Sequence, residues 1–318
     1  MRRVVEGMER HQVPLYLVAL ALGAAVGLLV PGTAGAVRHA VDPAIALLLY
    51  ATFLGVPFAR IGGAVQDVRF VVVVLAVNFL LVPVVVAVLS RVVAHDRALL
   101  VGVLLVLLTP CVDYVIVFTG LAGGAHDRLL AVAPLLMLAQ MALLPAYLWL
   151  LAGPDAVAAV DLTPFVRAFG VLIALPLAAA ALTQAIAARA SAAAAWSSAV
   201  ASAMVPLMML TLGVVVTSQI AAVRGELGAL PLVVPVYVAF AAVMLPVGAW
   251  VGRAAGLDVP GRRAVMFSGV TRNSLVVLPL ALALPAGFEV APIVVVTQTL
   301  VELLVMVALV RLVPRLVR

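Results

Sequence analysis

The chain has no lysine, a single cysteine and few acidic residues, and each shortage removes a class of function. Without lysine there is no glycine-rich Lys-Ser/Thr phosphate loop, so pumping by nucleotide hydrolysis has no motif to rest on. With Cys111 alone, an intrachain disulfide is impossible and a structural zinc site lacks ligands. His11, His39, His95 and His126 all fall outside the apolar stretches, and one aspartate, Asp113, lies clearly at depth within them. Intramembrane metalloproteases and serine proteases would want a histidine there, and an aspartyl protease a second facing aspartate. An intramembrane enzyme or sensor is therefore the remote alternative, and neither a cofactor nor a resident metal is expected. The pI near 10.4 does not point to nucleic acid, because the arginines are scattered through short loops without aromatic interleaving.

What the chain has in quantity is apolar surface: 67% of its residues are hydrophobic and 10% are charged. Apolar stretches long enough to cross roughly 30 Å of hydrocarbon as helix recur from end to end. The expected spans are 13–30, 42–59, 69–91, 98–123, 129–152, 165–187, 199–222, 229–253, 264–285 and 289–311. The first follows Arg2, Arg3 and Arg10 as a signal peptide would, but no small-residue cleavage site ends it, and it is expected to be retained. Counting arginines by side, the one bearing the termini and even-numbered loops holds thirteen. The other side holds five, Arg38, Arg91, Arg97, Arg167 and Arg224. The positive-inside rule then puts both termini in the cytoplasm. The lack of lysine with abundant alanine and valine suggests a GC-rich bacterial genome, hence a multi-pass protein of the bacterial inner (plasma) membrane.

The ten spans fall into two sets of five. Ala133-Pro134 with Gln140 recurs as Ala291-Pro292 with Gln298, Leu54-Gly55-Val56 as Leu212-Gly213-Val214, and Phe79, Pro83 and Arg91 as Phe240, Pro246 and Arg253. Five is odd, so the second set enters the membrane in the opposite sense. The expected fold is an all-α polytopic membrane protein of ten transmembrane helices in two inverted five-helix repeats. The organisation is a cytoplasmic N-terminus 1–12, a first repeat 13–152, a linker 153–164, a second repeat 165–311 and a cytoplasmic tail 312–318. Inverted repeats supply inward-open and outward-open states by exchanging the conformations of the halves.

The fourth span of each set carries polar residues at its centre, Thr-Pro-Cys-Val-Asp at 109–113 and Thr-Arg-Asn-Ser at 271–274. Unwound backbone at mid-membrane is tolerated only where protein or a cavity satisfies it, so these interruptions are the best pointer to a solute site. Asp113, Arg272 and Glu302 are the ionisable residues clearly at depth, and a charge there needs a partner or a task. Asp113 and Arg272 sit at repeat-related breaks, where a structural salt bridge between them competes with a role in binding. Glu302 lies one helical turn after Gln298 on the same face. It is either a carboxyl group that loads and releases a proton or one hydrogen-bonded to Gln298 or to neighbouring backbone. Cys111 follows the helix-breaking Pro110 on irregular backbone. It is either a small apolar filler or a lone soft ligand, weak enough to let go, for a thiophilic solute.

The run TPCVDYVIVFTGLAGGAHD resembles the fourth span of the arsenite permeases in the bile acid:sodium symporter superfamily, and LVELLVM at 300–306 is similar to their last-span Leu-Val-Glu motif. The resemblance implies that Cys111 stands at the family's essential cysteine and Glu302 at its functional glutamate. It also implies a panel domain from spans one, two, six and seven against a core in which the broken fourth and ninth helices cross. There are departures. Where the sodium-coupled branch offers Ser-Asn and a Glu-x-x-x-Gln-Asn run, this chain has Val115-Ile116 and Ser268 to Arg272-Asn273. Aliphatic side chains supply no oxygen ligands and a guanidinium repels sodium while substituting for its charge, so sodium is not an expected partner. Compared with the arsenite permeases, Pro110 and Thr119-Gly120 replace an arginine and an asparagine, and Asp113 is added.

The function expected is secondary active export of arsenite, with antimonite as a chemical relative, by proton antiport with alternating access. Cys111, Asp113, Thr271, Arg272, Asn273 and Ser274 would bind the solute, Glu302 or Asp113 would carry the proton, and Pro110, Gln140 and Gln298 would support them. The alternative cargo is an organic anion, carboxylate or bile-acid-like, held against Arg272.

Overall fold

The structure, a computed structural model, describes residues 7–8, 11–30, 32–54, 67–112, 114–153, 174–225 and 230–318. They are helical with no β-strand among them, as a chain in hydrocarbon requires, since each backbone N–H must find its acceptor within its own segment. The helices are α1 (Gln12–Leu29), α2 (Thr33–Leu54), α3 (Val68–Val93), α4 (Arg97–Leu107), α5 (Tyr114–Leu121) and α6 (His126–Ala152). There follow α7 (Leu175–Ala187), α8 (Ser191–Ser202), α9 (Met204–Gly225), α10 (Leu230–Ala254), α11 (Val259–Val270), α12 (Ser274–Leu282) and α13 (Ala291–Leu316). Among the described residues, α3, α6, α10 and α13 are long and apolar enough to cross a membrane unbroken, and the pair α8 and α9, bent by 52°, makes a fifth candidate.

Four boundaries differ most from the sequence expectation, one of them the start of α11, which lies at Val259 after the Asp258 cap rather than at Ala264. Helix α2 begins at Thr33 rather than near Asp42, because Arg38 and His39 sit on its exposed side while Val41, Ile45 and Leu48 are buried. The span expected at 199–222 starts earlier, at Ser191, and bends at Ala203. The cause is Pro206, which has no N–H for the Ser202 carbonyl. Helix α13 continues to Leu316, past the expected end at 311, with Arg311 and Arg315 exposed. Beyond Gly153, the linker 153–164 lies outside the described residues, as does Gly55 of the Leu-Gly-Val pair.

Contacts divide the chain into two compact units, Met1–Pro57 with Leu162–Leu227, and Phe58–Asp161 with Gly228–Arg318. The first contains the helices of spans one, two, six and seven, the grouping that the resemblance implies. In it α1 and α9 touch through backbone. A Cβ on Gly23 would lie 2.7 Å from the Gly213 carbonyl oxygen, and Thr217 Oγ donates to the Gly23 carbonyl at 3.0 Å. Lipid tails are as apolar as leucine, so such close packing and hydrogen bonding, rather than solvent exclusion, hold membrane helices together. From α7, Gln184 Nε2 donates to the Leu54 carbonyl at 2.9 Å, satisfying the last turn of α2.

The second unit encloses the two broken helices. Every residue of α4 from Ala98 to Leu107 is buried, as is α11 from Ala264 to Val270. Close approach is set by glycine: a Cβ on Gly102 of α4 would come 3.1 Å from Ala291 Cα of α13, and one on Gly248 of α10 2.9 Å from Met266 Cα of α11. Each broken helix starts at an aspartate cap. Asp96 Oδ1 accepts from the Ala98 and Leu99 N–H groups at 2.8 and 3.0 Å, and Asp258 Oδ1 from Gly261 N–H at 3.2 Å. Arg128 ties two caps together, bidentate on Asp258 at 2.9 Å and 3.2 Å from Asp67, the N-cap of α3. At the opposite helix polarity, Arg263 donates to the Ala122 carbonyl after α5 and to the Val317 carbonyl after α13, the favourable place for a cation.

Candidate functional site

Helix α4 stops at Leu107 and α5 starts at Tyr114; α11 stops at Val270 and α12 starts at Ser274. Both breaks fall where the sequence carries its polar clusters. Proline explains the first, since Pro110 has no N–H to continue the ladder. In both, a threonine turns its hydroxyl back on the preceding turn: Thr109 Oγ donates to the Leu105 carbonyl at 2.9 Å and Thr271 Oγ to the Phe267 carbonyl at 2.8 Å. Such back-bonding competes with the backbone N–H for the same acceptor and favours bending.

The freed backbone groups are paired between the breaks. Asn273 N–H donates to the Thr109 carbonyl at 2.8 Å and Cys111 N–H to the Thr271 carbonyl at 3.3 Å, an antiparallel bridge that sets Pro110 opposite Arg272. Thus Pro110, Cys111, Thr271, Arg272 and Asn273 meet at one crossing, buried from lipid. Cys111 is fully buried there. Asn273 Oδ1 caps α12 by accepting from Val276 N–H at 3.1 Å, and Ser274 Oγ accepts from Thr299 Oγ of α13 at 2.6 Å. Asp113 lies outside the described residues.

Among the described residues Arg272 is the largest fully buried side chain. Its Nη2 is 2.8 Å from Asn78 Oδ1, 2.6 Å from the Ser268 carbonyl and 2.9 Å from the Gly269 carbonyl, and Nη1 is 3.4 Å from the Leu107 carbonyl. The Phe240 ring lies beneath the guanidinium, 5.4 Å from centroid to Cζ. The carbonyls belong to the last turns of α4 and α11, where the helix dipoles present negative ends.

On the other side of the same residue, Arg272 N–H donates to Glu302 Oε2 at 2.8 Å, and Gln298 Nε2 donates to that oxygen too. The placement of Gln298 and Glu302 on one face agrees with their helical spacing. A small cleft beside them is lined by Leu107, Tyr237, Phe240, Val270, Gln298 and Glu302, and has room for about one water molecule. Four amide atoms among the described residues are buried without hydrogen-bond partners: Asn273 Nδ2 and Gln298 Oε1 at this centre and, on α6, Gln140 Nε2 and Oε1. Gln140 is buried apart from the hydrogen bonds that join the other residues.

Sequence reasoning missed Asn78. It sits in a π-helical turn of α3, Val77–Leu81, with Nδ2 donating to the Val74 carbonyl and to Ser268 Oγ, both at 2.9 Å. A lone amide in an otherwise aliphatic run, five residues before a proline, is the signal that could have found it. The same proline explains Tyr147. Pro83 has no N–H for the Phe79 carbonyl four residues back, and Tyr147 Oη donates to that carbonyl instead at 2.6 Å.

Buried broken helices with paired ends and polar groups at their crossing are the arrangement in which discontinuous transporter helices hold their solutes. Residues 42–230 match the Sodium Bile acid symporter family, more than half of the chain, and the protein belongs to that family. The match takes in Cys111 and ends before Arg272 and Glu302. No curated protein matches the chain.

Proposed function

We propose that the protein exports trivalent arsenic, as arsenite, across the bacterial inner membrane in exchange for protons, by alternating access of ten spans in two inverted repeats with both termini cytoplasmic. The observation that carries the reading is the antiparallel pairing of the two breaks, which brings Cys111 on irregular backbone against Thr271. The matched aspartate caps and threonine back-bonds support the repeat, since the same interval separates Asp96 from Thr109 and Asp258 from Thr271.

In this reading arsenous acid meets the Cys111 thiol at the crossing. One As–S bond forms and one As–OH bond breaks, the thiol proton leaving with the hydroxyl group as water; hydrolysis reverses the step with no change of oxidation state. A single soft ligand holds weakly enough to release, where three thiolates would trap. Asn273 Nδ2 and Gln298 Oε1, buried and unpartnered, suit the arsenous hydroxyl groups, because leaving such atoms unpaired costs about 1–3 kcal/mol each. Thr271 and Ser274 add hydroxyls, and the N-termini of α5 and α12 favour negative charge. Glu302 carries the proton, with Gln298 as its hydrogen-bond partner; Asp113 is the second carboxyl group of the proposal.

The organic-anion alternative loses ground because the Arg272 head is already engaged by Asn78, Ser268 and Gly269. Arsenite efflux from an arsenic-sensitive host tests the proposal. Cys111→Ser should abolish efflux while the protein is made and inserted normally, and unaltered efflux removes the thiol from the mechanism. In everted vesicles, Glu302→Gln should lose the dependence on a proton gradient. Undiminished dependence reassigns the proton.

A further inference from the structure

We propose that the oxygens around the Arg272 head form a site for a monovalent cation, which this chain fills with its own side chain, and that shortening the side chain opens the site to a free alkali ion. The sodium that the family's description implies does not fit beside a resident guanidinium, and that disagreement is the basis of the inference.

Three oxygens, Asn78 Oδ1 and the Ser268 and Gly269 carbonyls, converge on the single nitrogen Nη2 at 2.6 to 2.9 Å. A terminal guanidinium nitrogen carries two hydrogens, so the acceptors outnumber the donors they surround. Sites built for guanidinium usually offer paired oxygens to two parallel N–H groups. A converging cage of neutral oxygens is instead what a spherical ion takes in place of its hydration shell. The Leu107 carbonyl, 3.4 Å from Nη1, adds an oxygen from the end of the other broken helix. The cage therefore joins the C-terminal ends of two half-helices, where discontinuous transporter helices hold coupling cations. Phe240 covers it with an aromatic face. Because Arg272 is covalently held, the charge stays in the cage through every state of the cycle, and this is so whatever the cargo.

The test is the thermal midpoint of the purified full-length protein in detergent, measured in sodium, potassium and choline chloride at equal ionic strength. The wild type should not distinguish the three. Arg272→Ala should be destabilised in choline and recover by about 2–4 °C or more in sodium or potassium, as a ligand that binds only the folded state requires. Arg272→Gln, which keeps a polar side chain, should respond in the same sense, and millimolar guanidinium chloride should stabilise Arg272→Ala but not the wild type. An alkali-specific shift in the wild type overturns the proposal. So does equal behaviour of both variants in all three salts, or failure to recover either variant even in sodium, since a free ion should replace the missing head.

Discussion

Replacing Asn78 by leucine keeps the volume of the side chain and removes three hydrogen bonds, to Arg272 Nη2, the Val74 carbonyl and Ser268 Oγ. The last two acceptors keep other options, since a helical carbonyl has its ladder and a serine hydroxyl can rotate. The bond to Nη2, at 2.8 Å and charge-assisted, is the strongest of the three, although the Ser268 and Gly269 carbonyls still accept from Nη2 once it is gone. Charged hydrogen bonds contribute about 1.5–3 kcal/mol, whereas hydrogen bonds between membrane helices average about 0.6 and reach about 1.7 kcal/mol. A cost near 2 kcal/mol follows, lowering the thermal midpoint by roughly 4–8 °C. The sharper quantity is the coupling. With Arg272→Leu in the same chain, the cation that Asn78 satisfied is gone, so the double variant should be about 1–2 kcal/mol more stable than the sum of the single losses. The cycle is measured in choline chloride, so that no alkali ion enters the cage. Additive effects, within about 0.5 kcal/mol, would refute the assignment of Asn78 as a ligand of the Arg272 head.

Other outcomes follow from the packing. Gly23→Ala should destabilise the first unit by about 1–3 kcal/mol because its Cβ meets the Gly213 carbonyl oxygen at 2.7 Å, whereas Gly213→Ala, whose Cβ finds only the Ala19 carbonyl oxygen at 3.8 Å, should be tolerated; limited proteolysis and thermal midpoints compare them. Gly248→Val should lower the yield of folded protein more than Gly7→Val, since Met266 Cα stands 2.9 Å from the first Cβ and nothing stands within 4 Å of the second. Tyr147→Phe should cost about 1 kcal/mol, and less in a Pro83→Ala background, where residue 83 regains an N–H for the Phe79 carbonyl; an equal cost in both backgrounds would break the link between the proline and the tyrosine.

What the sequence made legible was local. The two breaks announce themselves as polar clusters within apolar runs, one holding a proline, and the shared face of Gln298 and Glu302 follows from helical spacing alone. The partners of Arg272 were not legible in the same way. Asn78 and Arg272 are separated by 194 positions, and only the packing of α3 against α11 brings them together. An amide amid valines and leucines gives no hint of which far residue it will satisfy. The early start of α2 was missed for a different reason: Arg38 and His39 read as loop residues by charge, yet one exposed face accommodates both without interrupting the helix.

Residue 272 has two hydrogen-bonding ends that face different chemistry. Its side chain donates to the Asn78, Ser268 and Gly269 oxygens, and its N–H donates to Glu302 Oε2. In the proposed cycle these ends have unequal fates. A guanidinium keeps its proton throughout, so the cage is a constant. Protonation of Glu302 weakens it as an acceptor and loosens its hold on the backbone at the crossing, which Asn273 and Cys111 also pin. Proton loading therefore acts on the unwound strand itself, while the cation beside it keeps the half-helix ends together. Hydrogen exchange at the Arg272 amide reads this directly. Protection should fall as the pH drops through the range in which transport gains its proton, and should be constantly low in Glu302→Gln, whose neutral amide imitates the loaded state. Protection in Glu302→Gln equal to that of the wild type at high pH would separate the carboxylate from the crossing and leave the proton without a lever on the fold.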